Sequence, residues 1–255
     1  MHLVVGTPMY GGMCTSEYTE SILGLKEACI QYGIKMTCIF LGNESLIQRG
    51  RNTIAHHFMS MPDATHLMFI DADQKFVPND IAKMIKADKG IIGGPVPMKG
   101  INWDQVRKGA KEDYFDLSKL TGIFNVNHLD GHDMTEADKP FQVRHIGTGF
   151  MLIQRSVFEL LQPHVGWYDN GGSTIPKGIK TYDFFKVENV ENELLSEDYN
   201  FCHLYRKHGG TVWAAPWCEL GHFGSYLFSG QYAAQGVQNG TSSNKIQADS
   251  RRHYS

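Results

Sequence analysis

At 255 residues, with 42% hydrophobic and 20% charged residues, the chain has room for one large domain or two small ones and the composition of an ordinary globular protein. A formal net charge of -3 gives no global pull toward nucleic acid or an acidic membrane. Cys14, Cys29, Cys38, Cys202 and Cys218 show no C-x-x-C spacing, which argues against a zinc ribbon or a disulfide scaffold. With no apolar leader and no transmembrane segment in view, a soluble, cytoplasmic protein is expected.

Strands and helices alternate through the first half. Leu3-Val4-Val5-Gly6 predicts a short buried strand, which Thr7-Pro8-Met9-Tyr10-Gly11-Gly12 breaks into a loop. From Thr15 to Tyr32 apolar residues recur at helical spacing, and Gly33 stops the helix. A second strand is expected over Ile34–Leu41 and a second helix over Ser45–Met61, with Ile47, Ile54, Phe58 and Met61 on its inner face. The third strand, Thr65–Asp71, ends in the acidic Asp71-Ala72-Asp73. Pro78 opens a third helix to about Asp88, and Gly90–Gly94 reads as a fourth strand. This order implies a parallel, right-handed, doubly wound sheet.

The pattern then lapses. Residues 98–140 are polar and without periodicity, a length of irregular chain that is usually functional or mobile. Order returns over Val143–Gln154, where Gly147-Thr148-Gly149 precedes an apolar run, and a short helix follows over Arg155–Leu161. A second irregular stretch holds Trp167, Tyr168, Gly171, Gly172 and the Pro176-Lys177-Gly178 turn. Lys180–Val187 is strand-like, Ser196–His208 helical, and Thr211–Ala215 the last clear strand. The division expected is one catalytic domain over 1–230, with halves 1–97 and 98–230, and a polar tail over 231–255.

Several residues carry chemistry. Asp71 and Asp73 close a strand at the sheet's ligand edge, where two carboxylates either cap a turn or hold a hard divalent cation against phosphate. Arg51 falls on the flank of the inner helix face, positioned to bind a phosphate or to reach past the core to water. The loop with Tyr10 matches neither G-x-G-x-x-G nor a Walker A pattern, against a dinucleotide oxidoreductase or a P-loop ATPase. Glu197 and Asp198 follow Ser196, a good N-cap, and favour the helix dipole or supply a general base. Local spacing does not choose between them. His222, between Gly221 and Phe223-Gly224 just beyond the last strand, has room to act as a third metal ligand.

Together Phe69-Ile70-Asp71-Ala72-Asp73, Gln48-Arg49-Gly50-Arg51-Asn52, Gly147–Ile153, Glu197-Asp198 and Gly221-His222 resemble, in order, the motifs of nucleotide-sugar-dependent glycosyltransferases of the GT-A fold, especially small family-2-like enzymes of bacteria and large DNA viruses. The resemblance implies a Rossmann-like α/β/α sandwich around a central, mostly parallel twisted sheet. It implies that Asp71 and Asp73, as a DxD motif with Ala72 between, bind Mn2+ or Mg2+ bridging the donor diphosphate, with His222 completing the shell. Thr7, Pro8 and Tyr10 would line the base and ribose, Arg51 would sit near the nucleotide, and Asp198 rather than Glu197 would be the base of an inverting transfer. A UDP-sugar is the favoured donor. The acceptor is a glycan, a lipid-linked sugar or a modified nucleic-acid base, with Trp167 and Tyr168 as platforms for a ring, and a viral enzyme would work in its host's cytoplasm. Two rivals are a nucleotidyltransferase, disfavoured because no Lys or Arg precedes Lys26 in the first loop, and a non-catalytic sugar-nucleotide-binding protein, which would not need both Asp73 and Asp198.

Overall fold

The computed structural model describes residues 1–236 except 125, 130, 132, 133 and 172–174. Its first half runs β1 (His2–Met9), α1 (Ser16–Gln31), β2 (Lys35–Gly42), α2 (Ile47–Met59), β3 (His66–Ile70), β4 (Gln74–Lys75), α3 (Pro78–Lys86) and β5 (Ile91–Gly93). The second half runs α4 (Trp103–Lys111), β6 (Asn127–His128), β7 (Phe141–His145), β8 (Phe150–Gln154), α5 (Arg155–Leu161), β9 (Trp167–Asp169), β10 (Lys180–Tyr182), β11 (Glu188–Val190), β12 (Glu193–Leu195), α6 (Glu197–Lys207), β13 (Val212–Ala214), β14 (Glu219–Phe223), β15 (Leu227–Gln231) and α7 (Tyr232–Gly236).

Eight strands form one sheet in the order β2-β1-β3-β8-β5-β13-β7-β6. β8 runs against both of its neighbours, β3 and β5, and β7 against β13 and β6, while the other pairs are parallel. All strands but β7 and β8 therefore point one way, as the mostly parallel expectation has it. Side chains of period two are dealt alternately to the two faces. Val4, Leu67 and Phe69 join Ile54 and Phe58 of α2, Phe158 of α5 and Phe201 of α6 in one buried cluster. Leu3, Val5, Met68 and Ile70 join Tyr18 and Ile22 of α1 and Ile81 and Met84 of α3 in the other. The result is the α/β/α layering expected. Phe158 packs on the rings of Phe58, Phe184, Phe185 and Phe201, and truncating a ring so enclosed costs about 3–5 kcal/mol.

The structure departs from the sequence reading where tertiary pairing decides. β1 continues through Thr7, Pro8 and Met9, because β2 keeps pairing with it to Met9↔Gly42 after the β3 ladder has ended at Gly6↔Phe69. Pro8, without an N–H, sits beyond that ladder's end. The fourth strand is not beside the third: β8 lies between them. A buried apolar run reads the same in either direction, so its sequence does not reveal the reversal. Residues 98–140 contain α4, capped by the Asn102 side chain accepting from Gln105 N–H. Only Lys180–Tyr182 of the expected strand at 180–187 is extended, paired with β9. Thr211–Ala215 is not the last strand, since β14 and β15 follow and join β4 in a second sheet. Of the expected tail, Ala233 is buried and Tyr232 packs on Phe124 and Phe141, while 237–255, like Gly172, lie outside the described residues. No helix among the described residues is long and apolar enough to cross a membrane.

Candidate functional site

β3 ends and the chain turns at Asp71-Ala72-Asp73-Gln74, closed by Gln74 N–H donating to Asp71 O at 3.1 Å. The turn is real, yet both carboxylates reach outward to other side chains. Thr15 N–H, at the start of α1, donates to Ala72 O at 3.0 Å, which ties the loop after β1 to the acidic turn. β4 then pairs with β14, setting Gln74 opposite His222, while Phe223 N–H donates to Asp73 O at 2.8 Å. His222 is thus delivered by a strand and not by the glycine-flanked loop expected. Its Nδ1 lies 2.9 Å from Pro97 O, and its Nε2 lies 3.2 Å from Asp73 Oδ2, an oxygen that also accepts from Lys99 Nζ at 2.9 Å. Burial pushes the Asp73 carboxyl up, but hydrogen bonds from His222 and Lys99 outweigh it and hold the group at about 2.

The Asp73–His222 pair suits a cation. A carbonyl oxygen only accepts, so Nδ1 of His222 carries the proton toward Pro97, which leaves Nε2 as the ring atom that meets Asp73 or a cation. A divalent ion shared by Nε2 and Asp73 Oδ2 would take the place of their direct contact. Among the described residues no group of three or more His, Cys, Asp or Glu side chains is spaced to hold an ion by itself. Mg2+ and ions like it commonly rest on one or two protein ligands plus phosphates and water, so this short donor set fits a metal that arrives with a nucleotide.

Arg51 joins the first aspartate to the second half. It is 4% exposed, with Nη2 on Asp71 Oδ1 at 3.2 Å, Nε on Glu197 Oε1 at 3.3 Å, and its guanidinium over the Phe69 ring. Nη1 is buried without a partner among the described residues. Burial and the charge of Asp198 raise the Glu197 carboxyl above its ordinary value, against the pull of Arg51. The neighbouring Asn52 grips the other side of α2: it donates to Asp183 Oδ1 at 2.8 Å and accepts from Phe185 N–H at 2.8 Å.

Asp198 is held differently. Its Oδ1 accepts from the Ser196 hydroxyl and from Tyr199 N–H at 2.8 Å, both neutral donors. It lines a cleft of about 440 Å³ with Val96, Ile146, Gly147, Ser196, Glu197 and Tyr199. Gly147 and Gly149 form the floor between the two acidic regions. A Cβ on Gly147 would lie 3.5 Å from Asp198 Oδ2, and one on Gly149 3.2 Å from Asp71 Oδ2. Asp71 N–H donates to Gly149 O at 3.0 Å, locking that floor to the acidic turn.

Thr7 is buried, its hydroxyl on Tyr18 Oη, whereas Pro8 is partly exposed and Tyr10 stands 75% exposed on the turn beyond β1. Trp167 is also exposed, with Lys180 Nζ 4.3 Å from its ring centre, and Tyr168 is partly buried. The sequence reading did not single out Lys99, which follows β5 in a stretch without periodicity. Nor did it foresee how Ser196 and Tyr199 N–H orient Asp198, although the N-cap position of Ser196 was a signal.

No family model matches the sequence, and no curated protein matches it. Among solved structures, the chain is similar to A197 from STIV at 15% identity, covering 91% of this chain and 95% of that one, with a TM-score of 0.48. It is similar to GalNAc-T7, crystallised with UDP, GalNAc and Mn2+, at 15% identity over 91% of this chain and 45% of that one, TM-score 0.44. It is similar also to a glycosyltransferase involved in the glycosylation of the major capsid of PBCV-1, at 9% identity over 63% of each chain, TM-score 0.31. The chain spans less than two thirds of the length of the latter two.

Proposed function

We propose that the protein is a metal-dependent glycosyltransferase that moves one sugar from a nucleoside-diphosphate sugar, a UDP-sugar favoured, to an acceptor hydroxyl with inversion. The observation that carries this reading is the Gly147-Thr148-Gly149 floor, whose first glycine abuts Asp198 and whose last abuts Asp71. Two trans peptide units span at most about 7.6 Å between their end Cα atoms, so this short segment keeps the diphosphate end and the base end in one neighbourhood. Mn2+ or Mg2+ on Asp73 and His222, with Asp71 beside them, would neutralise charge on the departing diphosphate. Pro8, Tyr10 and Ala72 would border the nucleoside, with Tyr10 free to stack on the base, while Thr7, fully buried with its hydroxyl on Tyr18, would support them from behind. Arg51, paired to Asp71 and Glu197, acts as a positioning residue more than as a phosphate ligand.

In the transfer, Asp198 Oδ2 accepts the proton of the acceptor hydroxyl as its oxygen bonds to the anomeric carbon. The bond from that carbon to the diphosphate breaks, and its electron pair leaves with the nucleoside diphosphate. The cleft beside Val96, Ile146 and Tyr199 receives the acceptor, a glycan, a lipid-linked sugar or a modified nucleic-acid base. A thermal-shift panel of UDP, GDP, CDP and dTDP sugars, with and without Mn2+, tests the donor site. One nucleotide class should raise the melting temperature only with metal, and Asp73→Ala should abolish that rise. No shift from any nucleotide at any metal concentration refutes the reading.

A further inference from the structure

Asp73 Oδ2 is shared by two side chains, and metal binding accounts for only one of them. Lys99 Nζ sits 2.9 Å from that oxygen, on the segment that leads out of β5. The segment is anchored on both sides of the lysine. Pro97 O takes the Nδ1 proton of His222, Met98 N–H donates to Ile123 O at 2.7 Å, and Gly100 N–H donates to Met98 O at 2.8 Å. The stem of Lys99 passes over Gly224, where a Cβ would lie 3.2 Å from Lys99 Cδ. An ammonium on a half-exposed carboxylate adds little stability, so the stability of one surface pair does not explain this support.

We infer that Lys99 is a diphosphate-binding residue: a cation supplied by the chain that rests on Asp73 and turns to the donor's diphosphate when the nucleotide arrives. The inference rests on the glycosyltransferase reading of the same site. A divalent ion held between Asp73 Oδ2 and His222 Nε2 would compete with the ammonium for that oxygen and free Lys99 to turn away. Its flexible four-carbon stem and three donors then suit a phosphate oxygen carried in by that ion, since a compact ammonium binds phosphate as a point charge without the fixed geometry of guanidinium. The resting contact with Asp73 keeps the charge within a side chain's reach of the place where the diphosphate would lie.

Titration calorimetry of UDP and of UMP in Mn2+ tests this on the wild type, Lys99→Met and Lys99→Arg. Loss of one charge-assisted contact to the second phosphate should weaken UDP about tenfold in Lys99→Met, with UMP changed less than about twofold. Lys99→Arg should recover most of the UDP affinity. Wild-type binding of UDP together with an unchanged ratio of UDP to UMP affinity in Lys99→Met overturns this inference alone. Should the wild type prefer another base, that base's diphosphate and monophosphate replace UDP and UMP in the titration; a wild type that binds no nucleoside diphosphate of any class removes the donor-site reading and this inference with it.

Discussion

The acidic turn after β3 and Asp198 at the start of α6 lie on either side of Gly147-Thr148-Gly149, and their carboxylates are held by opposite means. At the turn every partner is a cation or an imidazole: Arg51 on Asp71, Lys99 and His222 on Asp73. At α6 the partners of Asp198 are neutral, the Ser196 hydroxyl and Tyr199 N–H, and both take the same oxygen. Neutral donors orient a carboxylate without cancelling its charge, and both of these take Oδ1, on the opposite side from the Oδ2 that meets Gly147. Cationic partners can be exchanged for another cation or can move to an arriving anion. Under the proposed glycosyltransferase reading, this difference suits the first region to phosphate and metal and the second to proton transfer.

The sharpest way to break that assignment is Asp198→Asn. The amide keeps the shape and one acceptor but does not take a proton. Sugar transfer should fall about 10²–10⁴-fold in kcat, while donor affinity stays within about twofold. Full activity in this variant would move the base to Glu197 or to another carboxylate, and the contrast between the regions would lose its meaning.

Arg51→Met tests the cationic side. It leaves the Asp71 and Glu197 carboxylates without their shared partner, Glu197 in a buried setting that already raises its pKa. Removing one member of such a buried cluster should cost about 3 kcal/mol in urea denaturation. Adding Glu197→Gln should recover part of the loss, because it removes a buried charge that also repels Asp198. A neutral Arg51→Met would mean that the guanidinium does not hold the region together.

The site was legible in the sequence where one element carries the signal. Asp71 and Asp73 end an apolar strand, Ser196 caps a helix, and Arg51 lies on the inner face of α2, all within reach of local periodicity. What local pattern did not carry was pairing. His222 reads as a residue in a glycine-rich loop because Glu219–Phe223 alternates too weakly to announce a strand, and only its pairing with Gln74 and Lys75 brings it to Asp73. The reversed direction of β8 was hidden for the same reason: Phe150–Ile153 is apolar on both faces, and such a run has no polarity to read. Lys99 had no signal at all, since its contact with Asp73 follows no local period and its stem passes Gly224, more than a hundred residues away.

The smallest effect expected concerns the support behind Asp198. His145 is 9% exposed and stacks on Tyr199, the residue whose N–H orients Asp198, with ring centres 4.8 Å apart. Burial, then the charges of Arg206, His203 and Arg144, lower its pKa from 6.5 to about 4. The unfolded chain therefore takes up this proton before the folded one does. Its contribution to stability is whole above about pH 6.5, declines as pH falls toward 4, and is level below. His56, His57 and His66 are lowered by burial too and act in the same window in any variant, so the difference between two proteins isolates His145. The contribution of Asp73, whose carboxyl is lowered from 3.8 to about 2, is lost only at lower pH. His145→Phe keeps a flat ring against Tyr199 and removes the proton. Its melting temperature should match the wild type near pH 7.5 and fall less steeply between pH 6.5 and 5. An identical slope in the two proteins would show that His145 is not held neutral behind Tyr199. A lower melting temperature at pH 7.5 would mean instead that the imidazole, and not merely a ring, is what Tyr199 packs on.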